Sequence, residues 1–512
     1  MGVIIKQSIK GTLVNAVGIA VGFITTFFVI THYLTSEVVG LTRIMVDAAV
    51  LFSSFAQLGT TSSIIRFFPY FKDEESKNHG FFFWTLVVPL VGFLLFLLVL
   101  TIFKQPILNV YADKSPLFVQ YFKFVIPMSL FMLYQSVFET NCNVLMRIVV
   151  PKLVREVGVR VALLVIYILY GTHHITLDGL VVGFCLTYLA AVIIDLIYLF
   201  TLGKISLKPD FKFLTKPLVK DFLFYTSFLI LAAIAGSVTP LLNTFFVSAK
   251  LGLSFTGVFA IANYIATVIE IPNRSLNAIA QPNLAEAIKN NDMEKATTLC
   301  RSVTLHLLLS STLIFFFIWI NIDLLFNILP NGEEYAAGKW VVFILGLARL
   351  SNSALSISNN ALSYSRYYYF SLLFTVILTT SAILLNLFLI PKMGIEGAAL
   401  STLLAYLFYY LLLLAMTKWK LDITFLSVQH LKVLAIGVAL FVADYLVRKH
   451  LIASLVQISD LSLVGQIAEG VIRSLVWLVV ATIVVYYWHI SDDVNRLLKK
   501  AWGKVFFLDS KT

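Results

Sequence analysis

The chain has 512 residues, of which 59% are hydrophobic and only 13% are charged, and its mean hydropathy is +0.91. This composition excludes an ordinary soluble domain, in which about a quarter of the residues carry a charge. The net charge of +11 is typical of a membrane protein whose basic loops face anionic lipid, so we expect anionic lipid and no nucleic acid as a partner. The three cysteines show neither a disulfide framework nor a metal-binding spacing, and we expect no metal and no cofactor.

Apolar segments that approach or reach the ~20 residues of a membrane-spanning helix recur along the chain. They lack the alternating polarity of an outer-membrane barrel, so the predicted fold class is an all-α integral membrane protein. Lys and Arg are concentrated in the loops that are cytoplasmic if both termini are cytoplasmic, as the positive-inside rule requires. We predict about fourteen spans, with approximate bounds 9–33, 39–65, 81–103, 118–146, 157–171, 179–201, 222–249, 256–280, 302–321, 340–362, 370–390, 395–416, 432–450 and 470–490.

An internal echo divides the predicted spans into two sets. The segment Thr26–Val29 recurs as Thr244–Val247, a shift of 218 positions, and Gly40 recurs as Gly257 at nearly the same shift. Two similar halves in a membrane protein point to a transporter. The shift maps spans 1 to 6 onto spans 7 to 12. Because six is even, both halves enter the membrane from the same side, which predicts two six-helix lobes related by a pseudo-two-fold axis, followed by two C-terminal helices.

A basic segment joins the two lobes, with a lysine at every fourth position from Lys204 to Lys220. Pro209 and Pro217 exclude one continuous helix there, and we interpret the segment as a cytoplasmic linker against lipid headgroups. The expected domains are the N-lobe at 1–203 with spans 1–6, the linker at 204–221, the C-lobe at 222–417 with spans 7–12, and spans 13–14 with a cytoplasmic tail at 418–512.

Charged residues inside the spans are the candidate functional residues, because a lone ion near the bilayer centre costs at least ~3 kcal/mol on insertion scales. Asp47, Glu270 and Arg349 lie near the midplane, whereas Arg43 and Arg274 lie closer to the ends of their spans. Arg43 and Asp47 are four residues apart on one helical face, and Glu270 and Arg274 have the same spacing. Arg349 has no acid three or four residues away, so another helix or a ligand must satisfy it.

Two interpretations of these charges stay open. In the first, each acid and base pair neutralises itself and fixes the packing of its helix. In the second, Arg43, Arg274 and Arg349 line a cavity and hold an anionic headgroup, because the guanidinium binds phosphate through two parallel hydrogen bonds. Asp47 and Glu270 are then charge partners of the arginines, or they bind a proton or a sodium ion.

Other charged residues lie nearer to the ends of their spans. Glu139 is a further candidate for ion coupling or charge pairing, and Pro272 predicts a kink in span 8. No catalytic constellation and no Walker-type loop occur in the sequence, so we expect no catalytic residues. A structural or interfacial role is expected for Arg160, Asp195, Asp444, Glu469 and Arg473.

Local sequence patterns accompany this architecture. They are the turn Leu34–Gly40 after span 1, Gln57–Gly59 leading to Arg66 in span 2, and Gly394–Ala399 entering span 12. With the fourteen spans, the repeat and the terminal pair, the chain resembles over nearly its whole length the oligosaccharide-lipid flippases of the multidrug/oligosaccharidyl-lipid/polysaccharide superfamily, in particular the Wzx-like polysaccharide exporters.

The resemblance implies a flippase of the bacterial inner membrane that moves an undecaprenyl-diphosphate-linked oligosaccharide to the outer leaflet by alternating access, for surface polysaccharide biosynthesis. The implied partners are that lipid-linked glycan and the polysaccharide polymerase or export machinery. One alternative is a multidrug or cation antiporter of the same superfamily, which Asp47 and Glu139 keep open. The other is a membrane glycan polymerase or ligase, which the short outer loops disfavour.

Overall fold

The computed structural model describes residues 2–73, 75–203, 206–452 and 462–505. Within these ranges the chain forms helices and turns without a β-strand, and 11 helices are long and apolar enough to cross a membrane. The predicted all-α membrane fold is confirmed, while the count of fourteen spans stays a prediction. Lys204 of the predicted linker and the end of the predicted tail lie outside the described residues.

The chain divides into two compact units. The predicted division into two six-helix lobes stays a prediction. Unit 1 takes the residues up to Ile261, together with Leu329–Glu334 and Asn386–Ala398. The helix α1 continues through a π-helical stretch at Thr25–Ile30. The helices from the N-terminus onward are α1 Gly2–Ile24, α2 Ser36–Ala56, α3 Thr60–Phe71, α4 Phe81–Ala112, α5 Pro116–Val144, α6 Val149–Leu153, α7 Val159–Gly171, α8 Leu177–Thr201, α9 Lys216–Val238, α10 Leu242–Lys250 and α11 Leu253–Thr267.

Unit 2 takes Ala262–Ile328, Tyr335–Leu385 and the residues from Ala399 onward. Between α11 and the next helix the chain forms a 3-10 turn at Val268–Glu270. The remaining helices in chain order are α12 Ile271–Lys289, α13 Met293–Ile320, α14 Ile322–Ile328, α15 Gly332–Ala336, α16 Lys339–Ser363, α17 Tyr368–Leu421, α18 Val428–Val447, α19 Leu463–Tyr487 and α20 Asp492–Val505.

Several predicted spans are interrupted in the structure. The predicted span 39–65 is two helices, α2 and α3, because Leu58 and Gly59 adopt positive φ angles of 47° and 68°. Predicted span 7 is divided into α9 and α10 by a proline-containing 3-10 turn at Thr239–Leu241. Predicted spans 11 and 12 both lie in α17, which is broken at Gly394, where φ is 61° and ψ is −138°. Glycine and proline mark these breaks because they favour departures from helical geometry.

The helices of unit 1 separate a packed face from a lipid-facing one. On α2, Leu41, Ile44 and Ala48 are buried in the core, at the spacing of one helical face. On α4, Leu94 and Leu98 are exposed apolar side chains, as expected on a helix surface in contact with hydrocarbon. The polar residues of α2 described below therefore lie in a helix that is well packed on one side.

The described part of the predicted linker belongs to unit 1 and contacts His79 there. The ring of Phe213 stacks on that of His79, with centroids 4.1 Å apart, and His79 Nδ1 lies 3.1 Å from the Asp210 carboxylate. The hydrogen bond with His79 lowers the pKa of Asp210 below its ordinary value, so this carboxylate is ionised at neutral pH. The linker lysines that the structure describes have exposed side chains and no ion pair with a described residue: Lys208, Lys212, Lys216 and Lys220.

The N-termini of α2 and α11, which correspond to each other under the 218-residue shift, are in contact in unit 1. The hydroxyls of Ser36 and Ser254, which are 218 positions apart, lie 2.5 Å from each other. A Cβ atom at Gly40 would collide with the carbonyl oxygen of Leu253, and one at Gly257 would collide with that of Ser36. The two glycines therefore allow α2 and α11 to approach closely, each against the backbone of the other helix.

We expect Gly40→Ala to destabilise the protein, because its methyl group meets a backbone oxygen that side-chain rotation cannot move. The expected loss is about 1–3 kcal/mol, as for overpacking elsewhere, measured as a lower apparent unfolding temperature in detergent. Gly236→Ala is the matched control, since a Cβ atom there has no neighbour within 4 Å. Equal unfolding temperatures for the two variants would contradict the close contact.

Candidate functional site

Asp47 is the centre of a small polar network inside unit 1. Its residue is 3% exposed, and its Oδ2 atom accepts a hydrogen bond from Arg43 Nε at 2.9 Å and another from Thr244 Oγ1 at 2.7 Å. Arg43 and Asp47 lie one turn apart on α2, whose start is capped by the Thr35 side chain. The predicted ion pair is thus present, and α10 contributes a neutral third member.

Arg43 uses only part of its guanidinium in this network. Among the described residues, Nε alone has a hydrogen-bond partner, and 40% of the side chain is exposed. Counting from Ser36 at ~1.5 Å per residue, Arg43 lies roughly 10 Å along α2. Asp47 already accepts two hydrogen bonds. The two terminal nitrogens of Arg43 therefore remain free, among the described residues, to donate to an anion.

A second network lies within unit 2 and is built around Glu270. Arg349 Nη1 lies 3.4 Å from both carboxylate oxygens, and Asn352 Nδ2 donates to Oε1 at 2.6 Å. Two further polar groups extend the network. Arg349 Nη2 donates to Asn263 Oδ1 at 2.9 Å, and the Tyr410 hydroxyl donates to Asn352 Oδ1 at 2.6 Å.

The arginine of the Glu270 network is less exposed than Arg43. The side chains of Arg349 and Glu270 are 16% and 18% exposed, so water screens their attraction poorly. Arg349 Nε is buried without a hydrogen-bond partner among the described residues. The sequence required a partner for Arg349 from another helix or a ligand, and Glu270 supplies it from the turn before α12.

The predicted pair of Glu270 and Arg274 is wrong. Arg274 is exposed and forms no ion pair with a described residue, because Glu270 is paired with Arg349 instead. The physical reason is the break in the helix: Glu270 ends a 3-10 turn, and α12 begins at Ile271 with Pro272 in its first turn. A spacing of four residues places side chains on one face only where the helix is continuous.

Glu139 lies in a separate charged cluster of unit 1. Arg155 Nη1 lies 2.6 Å from Glu139, and Arg155 Nη2 lies 3.0 Å from Glu156. Arg160 also contacts Glu156, at 3.0 Å. Of the predicted site residues in unit 1, the structure therefore brings Arg43 and Asp47 together and assigns Glu139 to other partners.

Sequence reasoning missed the neutral members of both networks. They are the hydroxyl or amide side chains of Thr244, Asn263, Asn352 and Tyr410. Such residues are common at ordinary helix contacts in membranes, so their type gave no signal. Thr244 begins the repeated segment Thr244–Val247, and that position was the available clue.

The fold matches solved structures of membrane transporters. The structure of the lipid II flippase MurJ in an inward closed conformation matches with a TM-score of 0.70 and 14% identity, covering 93% of this chain and 98% of the other. An inward-facing multidrug resistance MATE family transporter of the MOP superfamily matches with a TM-score of 0.59 and 13% identity, over 77% and 92% of the two chains. MATE in complex with MaL6 gives 0.54 and 13%, over 82% and 96%.

These matches define the class as a multi-pass α-helical membrane protein with the fold shared by MurJ and MATE structures. At these identities the likeness concerns the fold alone. No curated protein matches the chain in sequence. The chain belongs to the family described as polysaccharide biosynthesis protein, whose model matches residues 5–288.

We expect Arg349→Glu and Glu270→Arg each to destabilise the protein by about 3 kcal/mol, because each leaves like charges together in a poorly hydrated site. The double exchange restores the opposite charges and is expected to recover part of the loss, which a double-mutant cycle of unfolding temperatures would measure. Arg274→Glu is the matched control and is expected to have little effect. Additive losses in the double variant would contradict the pairing.

Proposed function

We propose that the protein is a flippase that moves an undecaprenyl-diphosphate-linked oligosaccharide from the inner to the outer leaflet of a bacterial inner membrane, by alternating access. Family membership in polysaccharide biosynthesis supports a glycan substrate. The fold shared with the lipid II flippase MurJ supports a substrate with a lipid anchor. In this proposal the protein makes and breaks no covalent bond, so it is a transporter and not an enzyme.

The observation that carries the proposal is the state of Arg43. Its acid partner is already satisfied by two hydrogen bonds, yet the guanidinium stays partly exposed with two terminal nitrogens unused among the described residues. Arg43 therefore has a counter-charge in Asp47 and still has N–H donors for a ligand. It is suited to bind a diphosphate oxygen reversibly, since the bond to Asp47 persists when the substrate leaves.

We assign different roles to the other two arginines. Arg274 is exposed and unpaired among the described residues, so its guanidinium is available to bind an anion. Arg349 is occupied by Glu270 and Asn263, and it contributes to binding only if substrate replaces one of these partners. Asp47 and Glu270 act as charge partners that hold the arginines in place.

The membrane potential supplies a driving force without a coupled ion. If two negative charges of the diphosphate cross an inside-negative potential of ~100 mV, outward movement gains roughly 4 to 5 kcal/mol. The exposed linker lysines favour anionic lipid at the cytoplasmic side in this orientation. A polymerase or export complex that receives the glycan at the outer face completes the proposed sequence.

Transport by Arg43→Gln tests the site. The purified protein is reconstituted in liposomes with an undecaprenyl-diphosphate-linked oligosaccharide, and the glycan exposed at the far leaflet is measured under a set potential. We expect the variant to lose about tenfold or more of the initial rate, because one charge-assisted hydrogen bond to phosphate is worth about 1.5–3 kcal/mol.

Arg66→Gln is the matched control. Arg66 is equally exposed at 41%, but its guanidinium lies 3.5 Å from Asp221 and over the Tyr225 ring, outside the proposed site. We expect near wild-type transport from this variant. Full activity of Arg43→Gln would refute the site. Transport of an organic cation in place of the lipid-linked glycan would favour the antiporter, and elongation of the glycan would favour a polymerase.

A further inference from the structure

Asp195 is a buried acid that the proposed transport site does not use. It lies on α8 in unit 1, one turn from the buried residues Ala191 and Leu199, and is 0% exposed. Both of its carboxylate oxygens are buried without a hydrogen-bond partner in the part of the chain that the structure describes. Asp195 differs in this from Asp47 and Glu270, which each have an arginine partner.

The charged and titratable groups around Asp195 come from every element packed on α8. The charges of Glu139 on α5 and of Arg155 act on Asp195 directly, and Arg155 is already bonded to Glu139 at 2.6 Å and to Glu156 at 3.0 Å. None of these groups bonds to the Asp195 carboxylate. Other titratable groups on the elements packed against α8 include Cys142 on α5, Lys152 on α6 and Arg160 on α7, which is bonded to Glu156, and α8 itself carries Tyr198.

An ionised carboxylate in this position would be strongly disfavoured. It would lack a hydrogen-bond donor and would lie out of reach of water. The negative charge of Glu139 opposes a second negative charge nearby, while Arg155 is engaged elsewhere. A carboxyl group in such surroundings binds a proton and becomes neutral instead of forming a free ion.

We propose that Asp195 and Glu139 form a proton-binding site in unit 1, in which Asp195 holds the proton while Arg155 holds Glu139 ionised. Release breaks the O–H bond of Asp195 and forms one on Glu139, whose side chain is 15% exposed and can pass the proton on to water, and it leaves an Asp195 carboxylate that needs a donor. Arg155 is the arginine whose charge acts on both acids, and 48% of its side chain is exposed. Movement of Arg155 from Glu139 to Asp195 would therefore exchange the proton between the two acids.

The chemistry favours a proton over a metal ion at this site. No group of three or more His, Cys, Asp or Glu side chains suited to a metal occurs among the described residues. Hard cations also need several oxygen ligands at once, and Glu139 is already engaged by Arg155. A single proton requires only one of the Asp195 oxygens.

Infrared spectroscopy tests the site without reference to transport. The protein is purified in a detergent that has no carbonyl group, and the C=O stretch of protonated carboxylic acid is recorded at neutral pH in H2O and D2O. We expect a band that shifts on deuteration and is lost in Asp195→Asn. Asp444→Asn is the matched control, because Asp444 is buried but accepts a hydrogen bond from Trp477 Nε1 at 2.7 Å. The control is expected to keep the band.

A stability measurement accompanies the spectra. Asn resembles a protonated Asp, so we expect Asp195→Asn to unfold at a higher temperature than the wild type at neutral pH, where the unfolded Asp is ionised and must take up a proton to fold. If the folded protein binds one more proton than the unfolded chain, its folding constant falls by up to about tenfold for each unit of rising pH, and the variant loses this dependence. An unchanged carboxyl band in Asp195→Asn would overturn the proposal. If adding sodium at constant ionic strength abolished the wild-type band, the site would bind sodium in place of the proton, and the assignment of a proton would be overturned.

A final measurement links the proton to transport and rests on the proposed function. Under a membrane potential without a pH gradient, we expect Asp195→Asn to transport the lipid-linked glycan. When a pH gradient is the only driving force, we expect the variant to lose the wild-type response. An identical response of both proteins to the pH gradient would overturn the coupling role, while the infrared result separately decides whether the proton is bound.

Discussion

The arrangement of the polar residues depends on one constraint, the large free energy of placing an unsatisfied charge away from water. Asp47 meets this constraint with Arg43 and the Thr244 hydroxyl, and Glu270 meets it with Arg349 and Asn352. In both networks an arginine neutralises the acid and a neutral side chain completes its hydrogen bonding. Removing either kind of partner would leave a group that the surroundings cannot solvate.

The two networks differ in how many guanidinium N–H donors they leave available to a ligand. Arg349 divides its donors between Glu270 and Asn263, so few remain for a ligand. Arg43 donates to Asp47 through Nε alone and remains 40% exposed. The two arginines thus differ in the donors that they leave available, because Asp47 is bonded to Nε of Arg43 and Glu270 to Nη1 of Arg349.

The sequence identified the charged groups, but it predicted only the ion pair that forms within one helix and not the pair that forms between helices. Arg43 and Asp47 lie on one unbroken helix, so the spacing of four residues predicted their contact correctly. The same spacing failed for Glu270 and Arg274 because the helix breaks at the 3-10 turn Val268–Glu270. Residues near a break belong to no single helical face, and a partner from another helix cannot be found from spacing.

Composition predicted the fold class more securely than the sequence predicted helix boundaries. A chain that is 59% hydrophobic and 13% charged must satisfy its backbone internally, and helices do so residue by residue. The breaks at Gly59 and Gly394 depend on local φ angles. Hydropathy does not report those angles, so the predicted span 39–65 concealed two helices. The exposed and buried faces could likewise be assigned only once the packing was known.

The repeat had more structural consequence than its weak sequence signal suggested. Gly40 and Gly257 were matched only as letters at similar positions, yet each lies against the backbone of the other helix. The serine pair beside them places two equivalent hydroxyls 2.5 Å apart. A small residue at such a crossing is required by distance and not by polarity, so a search for charged residues would not have found it.

Asp195 shows that the available partners, and not burial alone, decide how a buried acid is satisfied. Asp47 is bound by arginine and Asp444 by the Trp477 indole, whereas Asp195 has neither partner among the described residues. Arginine keeps an acid ionised, and an indole supplies one donor to a single oxygen. An acid with no donor retains only protonation as a route to neutrality. The lack of a partner, which is a defect for a structural ion pair, is the property that a proton-binding group requires.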